Sequence, residues 1–309
     1  MAFLAEIKKQ VESVNSSRKI TQAMQLVAAN KMKYFQRQAT HNREYAWKLL
    51  EAMSLCHHRL SDLALAEKRN SGKNVFVLIT SDKGLCGALN VRLIQNLLKS
   101  KEWTTTPEAE RLLITIGRKG YDYMNRRNIP IAAHFPGISE RLDAMTAFHL
   151  INTIASYWDS GEAKKIYMVS THYVNPFLSI PRLSTYLPFS SEMIAEHLNW
   201  RATMRNTQED TNTVGQHFFF EPNEGRVIET LAHQLIHSLF MQSFNEFKAA
   251  EYSSRMVAMK KATEAADDMI KSLTLQYHKT RQAGITQQLC EIAAGSEATI
   301  GEEALLEVY

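Results

Sequence analysis

Residues 252–283 read YSSRMVAMKKATEAADDMIKSLTLQYHKTRQA, thirty-two positions without a glycine or a proline. Met256, Met259, Thr263, Ala266, Ile270, Leu273, Tyr277, Thr280 and Gly284 alternate spacings of three and four. That is the 3.5-residue repeat that keeps one seam turned toward a partner helix in a left-handed supercoil. The surrounding stretch, 226–283, is equally free of helix breakers, and so is 1–71 at the other end of the chain. At 1.5 Å per residue each stretch predicts a helix on the order of 90–100 Å long, far beyond the width of a globular domain. The N-terminal stretch repeats the pattern less strictly, with Leu4, Ile7, Val11 and Val14, a polar break at NSSRK, then Met24, Ala28, Met32 and Phe35. The two ends are expected to pair as an antiparallel coiled coil, with two ordinary amphipathic helices of a bundle as the alternative.

Between them the grammar changes. All seven prolines fall from Pro107 to Pro222. VFVLIT (75–80), RLLITI (111–116), IPIAAHF (129–135) and KKIYMVSTHYV (164–174) read as strands. LIQNLL, RKGYDYMNRR and LDAMTAFHLINTIASYW (142–158) read as helices between them. Such alternation predicts an α/β domain with a mostly parallel sheet, to which RLSTYLPF adds an edge strand. The polar run RATMRNTQEDTNTVGQ (201–216) reads as a linker or exposed loop. The expected organisation is a long N-terminal helix over 1–70, a central α/β domain with its linker over 71–216, and a long C-terminal helix with a short tail over 217–309.

Of the 309 residues 45% are apolar, enough for a real core, and the net charge is +4. That charge is too small to argue for nucleic acid, but residues 1–70 hold 12 basic and 6 acidic side chains while 225–309 hold 8 and 11. The basic set Lys8, Lys9, Arg18, Lys19, Lys31, Lys33 and Arg37 reads either as a solvated helix face or as a surface for an acidic partner. Cys56, Cys86 and Cys290 lie far apart, which fits neither a disulfide framework nor a zinc site. No signal peptide or membrane span is expected, so the chain reads as soluble or peripheral to a membrane.

Three stretches invite a chemical reading. SDKGLCGALN (81–90), after an apolar run, has the strand, glycine turn and helix start that can cradle a phosphate. Its GxxG spacing lacks the lysine and hydroxyl of a Walker loop, so a packing turn is the expected role. Cys86 reads as a packed thiol rather than an activated one. His233 and His237 share a helix face in HQLIH, but Gln234 stands where a zinc hydrolase places its glutamate, so no metal site is expected. His57 and His58 say less still.

The two ends also carry a resemblance. SVNSSRKITQAMQLVAANKM (13–32) is similar to the N-terminal signature of the gamma subunit of the F-type ATP synthase, and residues 252–298 to its C-terminal signature. SDKGLCGALN resembles the family's central turn, and FEPNEG (220–225) the entry to its last helix. The resemblance implies a non-catalytic central-stalk rotor whose two terminal helices form the shaft inside a hexamer of alpha and beta subunits. The α/β domain would be a foot against the epsilon subunit and the membrane c-ring. It also implies a peripheral position at the cytoplasmic face of a bacterial inner membrane, with no cofactor, nucleic acid or direct membrane insertion. Carried over residue by residue, it assigns Lys19, Met24, Lys31, Arg281, Gln282 and Thr286 to contacts with the hexamer. The tail TIGEEALLEVY (299–309) is expected to turn off the helix axis at Gly301. A nucleotide-dependent enzyme with helical arms and a free-standing coiled-coil scaffold are the competing readings.

Overall fold

The computed structural model describes residues 2–55, 63–138, 142–190, 193–194, 221 and 223–306, with the backbone alone at 2–3, 55 and 295–306. Cys56, His57, His58 and the run 201–216 lie outside the described residues, as do Phe220 and Pro222 of FEPNEG. Helix α1 (Ala2–Leu55) holds 54 residues and helix α6 (Glu224–Leu306) holds 83, as stretches without interior proline allow. The chain divides into two compact units, one drawn from Met1–Val27 with Val257–Tyr309 and the other spanning Ala28–Met256.

The first unit is a pair of helical segments. Arg18 Nη1 meets Asp267 Oδ1 at 2.8 Å, and the Thr21 and Thr263 hydroxyls lie 2.8 Å apart. Residue numbers rise on α1 as they fall on α6, so the pair is antiparallel. The expected seam is the covered one: Met259 is buried and Thr263, Ala266, Ile270, Leu273, Tyr277, Thr280 and Gly284 are half-buried. Lys260, Lys261 and Glu264 beside them are exposed. On α1, Ile7 is buried and Leu4, Val11, Val14 and Met24 are half-buried. The polar break NSSRK supplies Arg18, and Thr21 follows one turn later, so the interruption in the apolar repeat becomes a hydrogen-bonded layer. Helix α6 does not turn off at Gly301 but runs to Leu306. A lone glycine costs a helix about 1 kcal/mol, and good helix formers (Glu302, Glu303, Ala304, Leu305, Leu306) follow it.

The second unit is built on a five-stranded sheet in the order β3-β2-β1-β4-β5. Strands β1 (Lys73–Ile79), β2 (Arg111–Ile116), β3 (Ala133–Phe135) and β4 (Ala163–Asn175) pair in parallel. Strand β5 (Leu178–Leu187) returns antiparallel along β4, an edge position that tolerates Pro181. Strand β1 carries the continuous apolar run VFVLI because both of its faces are covered: six of its residues in succession are buried. Helix α2 (Leu89–Lys99) packs on β4 and β5, α4 (Arg118–Asn125) on β2, and α5 (Ala144–Asp159) on β4. A five-residue helix α3 (Lys101–Thr105), which the sequence does not predict, is capped by the Ser100 hydroxyl and tucks Trp103 against Phe76. Strand β3 is shorter than IPIAAHF suggested, pairing through three residues only.

Within this unit α1 and α6 are core helices. Phe35 stacks on Tyr252 with ring centres 5.6 Å apart, and Leu50, Met53, Leu235, Phe240 and Phe247 are fully buried. Each such side chain contributes roughly 1.5–3 kcal/mol of burial. Gly117, between β2 and α4, is forced: its φ is +92°, and a Cβ there would lie 2.0 Å from the Thr80 carbonyl oxygen.

Candidate functional site

The 80–90 turn is closed by its own side chains. Asn90 receives the Ser81 N–H and donates to the Ser81 hydroxyl and the Cys86 sulfur, and Ser81 Oγ donates to the Lys83 carbonyl at 2.7 Å. Asp82 accepts the Arg118 and Gly137 N–H groups at 3.1 and 3.0 Å. Gly87 supplies a φ of +58° before α2. From α6, Arg255 Nη2 donates to the Gly84 carbonyl at 3.1 Å while Glu251 Oε1 holds the same nitrogen at 2.8 Å. Burial pushes the Cys86 thiol up, against smaller opposing effects from Ser81 and Arg255, so the sulfur is protonated and packed. The turn packs as its spacing suggested, and Arg255 makes it in addition a joint between the sheet and α6, which the sequence does not predict.

His233 is exposed, whereas His237 is half-buried and stacked on Phe148 at 6.0 Å. Burial, with a smaller contribution from His233, lowers the His237 pKa, so its ring is neutral at pH 7. Among the described residues no group of three or more His, Cys, Asp or Glu could hold a metal ion.

The partner-contact candidates fall into separate groups. In the helical-pair unit Lys19 is exposed and Met24 half-buried, on the stretch of α1 where Ile20, Leu26 and Val27 are 60%, 62% and 54% exposed. Arg281, Gln282 and Thr286 are exposed on α6, with Thr286 Oγ1 donating to the Gln282 carbonyl at 3.0 Å. The Arg18–Asp267 contact sets the level of Lys19, and Arg281 lies fourteen residues further along α6, about 21 Å at the helical rise. These two groups are thus distinct. Lys31 belongs to the sheet-bearing unit, half-buried with its ammonium 5.5 Å from the Tyr252 ring centre. Arg18, one of the basic set, is tied up by Asp267, whereas Lys8, Lys9, Lys33 and Arg37 are exposed.

One polar cluster has no counterpart in the sequence reading. His172 on β4, Glu246 on α6 and Arg43 on α1 converge in the sheet-bearing unit, His172 Nδ1 lying 2.5 Å from Glu246 Oε2 and Arg43 Nη2 2.9 Å from Oε1. Burial pushes the Glu246 carboxyl up, but its hydrogen bond and attraction to His172, with Arg43 and Gln242, more than offset this and hold it below the usual carboxylate range. The three residues stand far apart along the chain, so spacing carries no signal of them.

Comparison with known proteins agrees with this architecture. The ATP synthase family model matches residues 3–299. ATP synthase gamma chains from two strains of Acidithiobacillus ferrooxidans are each 32% identical over 300 residues, covering 96% of this chain and all of theirs. The fold is shared with a chain of the Euglena gracilis mitochondrial ATP synthase rotor, at a TM-score of 0.60 and 15% identity over 92% of this chain and 99% of that one. A chain of that enzyme's OSCP/F1/c-ring assembly gives 0.65 and 16% over 96% and 95%. A chain of the Tetrahymena thermophila central stalk and c-ring gives 0.55 and 21% over 79% and 99%. Two long terminal helices with a five-stranded, mostly parallel sheet between them in the chain are the fold shared with these rotor and central-stalk chains. The chain belongs to the ATP synthase family, as a relative of its gamma chains.

Proposed function

We propose that this chain is the central-stalk rotor subunit of an F-type ATP synthase. It transmits torque between ion translocation through a membrane ring and ATP synthesis or hydrolysis in an alpha/beta hexamer, and is itself non-catalytic. The observation that carries the reading, beside family membership, is the outward face of the helical pair. Ile20, Leu26 and Val27 on α1 and Met269, Leu275, Ile285, Leu289 and Ile292 on α6 are all large, apolar and exposed. Apolar side chains in that number on both helices mark a surface that a partner covers. Lys19 and Arg281 add fixed positive charge for acidic loops of that partner, and Arg281 offers a planar fork that can hold a carboxylate in two contacts.

On this reading Lys19, Met24, Lys31, Arg281, Gln282 and Thr286 touch the hexamer. Residues 1–70 and 217–309 supply the shaft and its tail, and 71–216 the foot that meets the epsilon subunit and the c-ring. The complex stands at the cytoplasmic face of a bacterial inner membrane, with this chain in its peripheral part; among the described residues no helix is long and apolar enough to cross a membrane.

Co-expression with alpha and beta subunits tests the proposal. The chain is expected to co-purify with the hexamer on sizing, and isothermal titration of the isolated chain with Mg-ATP is expected to give no binding heat. Micromolar nucleotide binding, or self-association in place of entry into the hexamer, overturns it.

A further inference from the structure

Inside the sheet-bearing unit, α6 is bonded to the sheet and its loops at successive levels. Tyr186 Oη on β5 donates to the Ile236 carbonyl at 2.8 Å, His172 on β4 meets Glu246, Ser253 Oγ donates to the Pro176 carbonyl in the β4–β5 turn, and Arg255 reaches Gly84. At the Glu246 level α1 joins as well. Arg43 donates through Nε to Glu246 Oε1 at 3.0 Å and through Nη2 to the Tyr173 carbonyl of β4 at 3.0 Å. Gln242 Nε2 donates to the same carboxylate oxygen at 3.1 Å. One carboxylate, only 4% exposed, thus gathers β4, α1 and its own helix at a single point. Beside it a cavity of about 30 Å³, lined in part by Arg182, Ser184 and Gln242, leaves space on the scale of one water molecule.

We propose that Arg43, Glu246 and His172 form a torque-bearing clasp that locks both long helices to the sheet against sliding and axial roll. The inference rests on the rotor reading. Apolar packing holds helices together without regard to direction, so small slides along it cost little. Charged hydrogen bonds weaken steeply with distance and angle, and at a buried site a broken one leaves an unpaired charge, so the clasp resists the displacement that torque produces. Stability alone does not account for it, since a buried ion cluster replaced by well-packed apolar residues is often neutral or stabilising. Its geometry points to a positional role. Because the Arg43 guanidinium bridges a side chain of α6 and the backbone of β4, it is the member whose loss frees α1.

The test uses the complete synthase in vesicles carrying Glu246→Gln or Arg43→Lys, driven by ATP with and without an opposing ion gradient. Lysine keeps the positive charge of position 43 beside Glu246 but cannot span both acceptors, so this variant removes the bridging geometry without leaving the carboxylate unpaired, and its assembly into the synthase is checked by sizing. ATP hydrolysis without load is expected to stay within about twofold of wild type, while ions moved per ATP against the gradient fall by about twofold or more. Phe240→Leu, a core change that lowers melting temperature without touching the clasp, is expected to leave that ratio unchanged. Wild-type pumping under load by Arg43→Lys overturns the clasp, and so does an equal loss in Phe240→Leu. If the wild-type chain does not enter the synthase at all, the rotor reading fails instead.

Discussion

The same two helices live different lives in the two units. Within Ala28–Met256, α1 and α6 bury Phe35, Leu50, Met53, Leu235, Phe240 and Phe247, and the α6 pairs of Glu251 with Lys248 and Arg255 are sealed, all three residues under a tenth exposed. Within the other unit the Arg18–Asp267 pair is 36% and 42% exposed at its side chains, and Leu26 and Ile292 stand 62% and 70% exposed. One sequence pattern, a long helix free of breakers, therefore yields a self-sufficient core where a sheet covers it and a presented surface where only a second helix does. On the rotor reading the unburied apolar area of the helical pair is surface that a partner removes from water, at about 25 cal/mol per Å² before the costs of association.

The largest effects belong to the sealed unit. Phe240→Ala removes a fully buried ring and is expected to lower the stability of the purified chain by about 3–5 kcal/mol in urea unfolding. A loss under about 1 kcal/mol would place Phe240 on a surface and erase the contrast between the units.

Acid should act on the same unit. Because the Glu246 carboxyl is held below its ordinary range when folded, it contributes stability that is complete above its unfolded pKa and drains away as pH falls through the folded value. Melting temperature is thus expected to fall as pH drops below about 4.5, and less steeply in Glu246→Gln. Identical slopes in the two chains would show that Glu246 keeps an ordinary pKa.

For Arg281 on the presented surface the readout is activity of the assembled complex rather than stability. Arg281→Ala is expected to lower ATPase activity of the assembled complex about tenfold, and Arg281→Lys less, because alanine removes charge and donors while lysine removes only the fork; a charged hydrogen bond made in one rotational state is worth roughly 1.5–3 kcal/mol. Equal rates in all three would remove Arg281 from the contact surface. Smallest of all, Arg18→Ala should cost only about 0.2–1 kcal/mol, since its pair with Asp267 is half in water. A loss of 3 kcal/mol or so would mean that the polar layer of the helical pair is as sealed as the clasp.

The long helices and most strands were legible because their signals are local. Absence of glycine and proline, a 3.5-residue repeat and runs such as RLLITI each report on a few neighbouring residues, and RLLITI became β2 residue for residue. Strand β3 was overread because IPIAAHF has the right composition, whereas its pairing is set by how far β2 extends beside it. Gly301 was overread as a turn because a single breaker is outweighed by helix formers around it. Arg281 is indistinguishable by periodicity from Lys279, so its candidacy came from family resemblance alone. The clasp was illegible for a deeper reason: Arg43, His172 and Glu246 meet only after β4 has crossed to the far side of β1 and both helices have docked, and nothing local announces that.

Rotation itself tests the central claim most directly. With the alpha/beta hexamer fixed to a surface and a bead attached at Phe177→Cys, a position 86% exposed in the β4–β5 turn, in a chain whose Cys56 and Cys290 are replaced by serine, ATP is expected to drive the bead persistently in one direction. A bead that stays fixed, or wanders without direction while the hexamer hydrolyses ATP, contradicts the account.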